Sequence, residues 1–467
     1  MVGLFLLIIS SICLFYSLRY IYGNVTARLS VIPVVTTVAF MTFYDYVHYS
    51  SEHVSIAILS VALLMLCKLY SSGLIFNKRL IFFLGFIIGL VPFAKLQAVP
   101  IALSIALITL HILWIRRHSI AQFLGNFYAF LLGSVLSPAL IMLYIIVFFV
   151  EEAFWRFYIL RENIQPLYAI VIETSSEFLR RLYFVFGPPD TRALFALTII
   201  FFLLSLSLLI YRFISQPQRY KLSDTSIFFL YSLIILTASI YSVMKPTAYF
   251  THYLLFLIFP SGFLIGVLVG EFFKVYKYSG INLPKLKLSS VMAIINLLKL
   301  KLSPVMAIII LIMMISSTLQ LFAHVGVGRE NPYIAKRSNF MQTYISPVSL
   351  AILKYASKDE SMAIWGWDPM IYVETKIIPA TRYVACTSQM FSGPQHQYYV
   401  RQFADDLLKS KAHFFIESTA GFAKDWEVMV GTPVKSLEDF PDVAIILKKY
   451  YTLVYDAQGF KIYIRQP

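Results

Sequence analysis

A succession of apolar runs, most of them near the length that crosses a bilayer, dominates the chain and leaves few folds open to it. They cover residues 2 to 18, 30 to 43, 53 to 67, 80 to 94, 98 to 115, 123 to 150, 193 to 211, 225 to 244, 250 to 273 and 303 to 323. Read as spans they make about ten crossings, since a hydrocarbon core takes roughly 20 apolar helical residues. Hydrophobic residues are 59% of the chain, charged residues 13%, and the mean hydropathy is +0.75, which burial in a water-surrounded core does not explain. Backbone amides in lipid must be satisfied within their own segment, so the runs read as helices, and their lack of strict alternation argues against a barrel. The expected fold is mainly α: a polytopic helical membrane bundle over 1–324, then a small α/β extracytoplasmic domain over 325–467.

Charge orients the bundle. Arg19 and Arg28, then Lys68, Lys78 and Arg79, then Arg116 and Arg117, then Arg212, Arg219 and Lys221, and finally the lysine-rich stretch 274 to 301 fall in alternate loops. Such a bias places those loops in the cytoplasm. The opposite short loops carry only Lys95 and Lys245. The net charge of +15 therefore reads as a topology signal, with no nucleic-acid partner implied. The localisation that follows is a bacterial inner or plasma membrane, with the C-terminal domain periplasmic or extracellular. Residues 2 to 18 follow Met1 without a basic n-region or a small-residue cleavage site, so the first run reads as an internal helix. The expectation is that an upstream helix and its outer loop are missing.

After about residue 325 the pattern becomes that of a folded soluble domain. Ser346 and Pro347 read as an N-cap and first helical position, opening a helix over 348 to 357. Residues 361 to 365 and 412 to 418 read as strands, 396 to 409 as a helix, and YYTLVYD with FKIYI as a closing pair around Ala457-Gln458-Gly459.

Polar islands between the apolar runs carry what chemistry the chain offers. In YDYVHYSSEH, Asp45, His48 and Glu52 fall at i, i+3 and i+7, so on a helix they share one face. Either a helix end surfaces there with its carboxylates solvated, or the stripe is a carboxylate site. As a site it would hold a divalent cation, the one cofactor considered, or take a proton from a hydroxyl acceptor. Lys95 interrupts an apolar hairpin and reads either as a snorkelling lysine or as a contact to a lipid-linked phosphate. Lys245, His252 and Tyr253 form a similar island, where His252 is either a structural histidine or a ligand. The connection 151–191 mixes aromatic and charged residues as an interfacial helix does, and Arg180 and Arg181 offer an anion clamp.

The succession YSSE, GLVPFAKLQAVPIAL, THYLLFLIFPSG and AIWGWDPMIYVETKIIPATRY resembles the polytopic GT-C glycosyltransferases, among them protein O-mannosyltransferases and the lipid A aminoarabinose transferase. The resemblance implies transfer of a sugar from a polyprenyl-phosphate donor to a glycan, lipid or protein acceptor on the outer face. By that analogy Lys95 matches a lysine near the donor phosphate, and His252 and Tyr253 match the polar start of a cavity-lining helix. Asp45 and Glu52 occupy the loop where some members place a supporting acid. The family's principal catalytic Asp lies in the first outer loop, and no residue of this chain takes that role. Outside that family, a lipid or polysaccharide transporter and a non-catalytic subunit that binds carrier lipid also fit an apolar multi-span chain.

Overall fold

The computed structural model describes residues 2–41, 46, 49–73, 77–155, 158–159, 181, 183–215, 226–245, 250–279, 315, 345–357, 359–384, 386–390, 396–418, 437–457 and 459–466. The chain divides into two compact units, one helical and one built on a sheet.

Each expected apolar run except the last falls on a helix of the first unit. These helices are α1 (Val2–Tyr22), α2 (Asn24–Ala39), α3 (Ser51–Ser71), α4 (Lys78–Ala94), α5 (Val99–Ile115), α6 (Ile120–Val147), α7 (Pro189–Ser215), α8 (Ser226–Met244) and α9 (Leu255–Ser279). Short 3-10 turns at Leu96–Ala98 and Thr251–Leu254 lead into α5 and α9. Among the described residues 6 segments are long and apolar enough to cross a membrane, fewer than the ten runs suggested. The run at 30 to 43 is one reason, because α2 has 16 residues and stops at Phe40. Apart from Ile315, the run at 303 to 323 lies outside the described residues, as does most of the 151–191 connection.

Burial sorts the helices. The segment Thr251–Glu271 is 94% buried and forms the axis of the bundle, whereas the apolar window of α6 is only 22% buried and presents most of its surface outward. A helix apolar on all sides suits the first position, and a lipid-facing helix the second. Several hydroxyls inside the bundle are satisfied locally: Ser17, Ser30, Thr109 and Ser239 each donate to the carbonyl four residues back.

Glycine sets the closest approaches. On α4 and α6, a Cβ at Gly85 would run into the Phe130 carbonyl, and one at Gly133 into that of Phe82, so the two backbones touch. On α9, Gly262, Gly266 and Gly270 recur every fourth residue and receive Val34 and Leu14, Leu18 and Tyr22. This is the small-residue seam by which helices associate in lipid, where burial of apolar surface supplies no driving force. Beyond the seam, the Tyr22 hydroxyl donates to Glu271 Oε1 at 3.0 Å.

The second unit holds α10 (Pro347–Leu353), β1 (Ser361–Gly366), α11 (Met370–Thr375), β2 (Ile378–Pro379), α12 (Thr387–Met390), α13 (His396–Ser410), β3 (Phe414–Ser418), α14 (Pro441–Tyr450), β4 (Tyr451–Ala457) and β5 (Phe460–Arg465). Its mixed sheet has the order β2-β1-β3-β5-β4. The first three strands are parallel, and β5 runs antiparallel to both β3 and β4. Ser346 caps α10 as expected, its hydroxyl accepting from the Ser349 amide, but the helix ends at Leu353 rather than 357. One side of the sheet buries Ile364, Phe414 and Ile416 with Ile352 and Ile371 of α10 and α11. On the other side Trp365 packs edge-on against Phe403 and Phe440, with ring centroids 5.1 and 4.9 Å away. Gly366 ends β1 at φ 144, and a Cβ there would strike the Ser418 carbonyl, so only glycine lets β1 and β3 run this close at their ends.

Arg382 grips Asp406 of α13 with two parallel 2.8 Å bonds. Burial pushes the Asp406 carboxyl up, but the Arg382 hydrogen bonds outweigh it and hold the group below its ordinary value.

Two predictions follow from this packing. Gly133→Leu forces α4 and α6 apart and should lower stability by about 1–3 kcal/mol or more, as overpacking does, read as a drop in thermal midpoint in detergent. The depressed Asp406 carboxyl stabilises the second unit fully above the unfolded aspartate value of about 4 and loses that contribution as pH falls through its folded value. Hydrogen-exchange protection along α13, corrected for the intrinsic rate at each pH, should therefore fall on acidification in the natural chain and show less of this pH dependence in Asp406→Asn.

Candidate functional site

Glu52 is the second residue of α3 and its side chain is 1% exposed. A carboxylate removed from water in this way needs a cation within reach. Lys95 supplies it: its Nζ lies 3.1 Å from Glu52 Oε1. Local geometry explains why the lysine arrives there. The α4 helix carries Pro92 in its last turn and stops at Lys95, whose backbone is extended at φ −163, before the 3-10 turn and Pro100 start α5. The tip of an otherwise apolar hairpin is thus one extended lysine, 24% exposed, turned onto a buried acid.

His252 completes the cluster from a third direction. Its Nε2 is 3.8 Å from the same Glu52 oxygen, an ion pair when the imidazole is protonated. The ring stacks on Phe250 at 5.3 Å and an interplanar angle of 12°. Tyr253 is buried beside it, with the Lys95 ammonium 5.7 Å from the centre of its ring. One carboxylate oxygen therefore stands between two nitrogen bases, above an aromatic floor.

Neighbouring residues tie this end of the bundle together. Gln97 Nε2 donates to the Ser242 carbonyl at 2.6 Å, joining the Lys95 hairpin to the end of α8. Arg181, 7% exposed, gives its guanidinium to the Met244 carbonyl. His53, fully buried, has Nδ1 2.9 Å from the Ser50 hydroxyl and Nε2 3.0 Å from the Tyr46 carbonyl, so it braces the turn into α3. Sequence reading passed over His53 and Gln97. His53 had a visible signal, standing next to the acid at a helix start, whereas Gln97 had only its place in the hairpin tip.

Of the residues singled out from sequence, Glu52, Lys95, His252 and Tyr253 come together. Arg181 lies against the end of α8 and is engaged with backbone there, and Lys245 is the residue that follows α8. Asp45, His48 and Arg180 lie outside the described residues. No group of His, Cys, Asp and Glu able to hold a metal occurs among the described residues. Glu52 is a poor metal ligand in this arrangement, because the ammonium on its Oε1 would repel a cation.

No family model matches this chain, and no curated protein matches it. The reading of the site rests on its own chemistry.

Removing one member of a buried pair strands the other, at a cost of about 3–5 kcal/mol, while removing both costs far less. Lys95→Met should therefore destabilise the chain strongly, and Glu52→Gln combined with Lys95→Met should recover most of the loss. A double-mutant cycle on thermal midpoints in detergent measures this coupling.

Proposed function

We propose that the chain is a membrane glycosyltransferase that takes its sugar from a polyprenyl-phosphate donor and transfers it to an acceptor at the outer face. The observation that carries this reading is the buried contact of Glu52 with Lys95, with His252 on the same carboxylate oxygen. A lysine ammonium is a compact charge on a flexible stem and suits a phosphate at the membrane edge. In the resting site Glu52 holds that charge in place. When a donor phosphate arrives, Lys95 turns to it while His252 stays on the same Glu52 oxygen.

In the transfer step the acceptor oxygen bonds to the anomeric carbon, the bond from that carbon to the phosphate oxygen breaks, and polyprenyl phosphate departs with the electron pair. Lys95 stabilises the leaving phosphate, and the acceptor's proton passes to a carboxylate. Glu52 and Asp45 are the acids proposed for that proton. Lys245, Arg180 and Arg181 are the further basic residues proposed at this end of the bundle.

The placement of the charges favours this reading over a transporter. Transport sites lie near midspan on broken helices, and Glu52 stands at the first turn of α3. A subunit that binds carrier lipid without transferring sugar shares the first step and is separated from the enzyme by the second.

The test uses the purified chain in nanodiscs with a long-chain polyprenyl phosphate and with its hexose-linked form. Lys95→Ala should weaken binding of the polyprenyl phosphate by tenfold or more, a change of about 1.4 kcal/mol, while Lys78→Ala at the other end of the bundle leaves it unchanged. Equal affinity in the Lys95 variant removes the phosphate assignment. Release of free polyprenyl phosphate from the hexose-linked form in the presence of membrane acceptors marks an enzyme, and binding without release marks a carrier-lipid subunit.

A further inference from the structure

The two faces of the C-terminal sheet are covered by helices of opposite character. The outward side of α13 and α14 is charged, with Arg401, Asp405 and Lys409 on one and Asp442, Lys448 and Lys449 on the other exposed to water. Apolar residues on that side are isolated, as on any soluble surface. The other layer is different. On α10, Leu350 is 49% exposed and Leu353 38%; on α11, Met370 is 49% exposed and Val373 67%; and Trp367, just ahead of α11, is 44% exposed. These two helices pack against each other, so their exposed apolar side chains belong to one layer. A pair of short helices that already buries one apolar side on the sheet has no folding reason to carry a second.

The residues flanking this layer include basic and aromatic ones, and the acid beside Trp367, Asp368, is taken up by the Ser418 hydroxyl. Lys354 and Lys376 are exposed at the C-terminal ends of α10 and α11, and Tyr355 follows Lys354. The single acid on the two helices, Glu374, is already taken up by the Ser346 hydroxyl and amide. Apolar side chains with tryptophan and tyrosine, edged by lysine, are what a surface needs to sit in lipid headgroups. The same chain carries segments long and apolar enough to cross a membrane, so a bilayer is the surface at hand. Pairing with a second copy fits less well, since a two-fold contact through this face brings lysine onto lysine with no free acid on either helix to offset them.

We propose that the outer face of α10 and α11 docks on the lipid interface, with Trp367, Met370 and Val373 at the acyl boundary and Lys354 and Lys376 against anionic headgroups. The C-terminal domain is then held flat on the membrane rather than free in solution, whatever reaction the helical unit performs.

The test places a nitroxide on the full chain in nanodiscs containing phosphatidylglycerol, at Val373→Cys, with Lys409→Cys on the charged layer as reference. The native cysteines are buried, which leaves the introduced one selectively labelled. Docking on lipid predicts that oxygen relaxes the Val373 label more than a water-soluble nickel chelate does, and that nickel reaches it several-fold less than it reaches Lys409. Equal nickel access at the two positions overturns the proposal, because the face is then in water. Protection of Val373 from both oxygen and nickel also overturns it, because the face is then covered by protein.

Discussion

Helices in lipid gain nothing from hiding apolar side chains against one another, so what decides the bundle is how closely their backbones can approach. The glycine contacts of α4 with α6, and the Gly262–Gly266–Gly270 seam of α9 against α1, are where that approach is made. Two of the helices seated in this way, α4 and α9, lead to the site. The α4 helix delivers Lys95 and the segment leading into α9 delivers His252, and both reach Glu52 because those helices are seated to within a side-chain length.

The cluster around Glu52 combines two properties that usually exclude each other. It is buried enough that its charges must answer one another, yet Lys95 keeps part of its side chain exposed. On the proposed function, this arrangement lets a competing anion draw Lys95 away from the carboxylate it sits opposite. His252, stacked on Phe250, contacts the same Glu52 oxygen.

Much of the fold was legible in the chain, and the reasons are physical. Long apolar runs have one solution in lipid, so the helices up to α9 follow from hydropathy, although α2 proved too short to count as a span. The strands at 361, 414, 451 and 460 were visible as alternating or β-branched stretches bounded by turns. The β2 strand was not, because Ile378–Pro379 is two residues long and takes its identity from pairing with β1. At the site, single polar residues in apolar surroundings stood out, which is how Glu52, Lys95 and His252 were found. Their meeting on one oxygen could not be read from the chain, since more than 150 residues separate Lys95 from His252 and the contact is made by packing. His53 stood in view beside Glu52, but its bonds to the Ser50 hydroxyl and the Tyr46 carbonyl are made by the turn into α3 and have no counterpart in residue spacing.

The strand order carries a consequence for how the protein is made. β5 lies between β3 and β4, although residues 460–465 are synthesised after every other strand. Until they emerge, β3 and β4 each lack the strand that β5 provides, and β4 has no other strand neighbour among the described residues. The domain therefore cannot assemble piecemeal behind the ribosome, and the membrane helices have left the exit tunnel well before its sheet can close. A stop a few residues before Phe460 would take out the strand that joins the parallel half of the sheet to the rest.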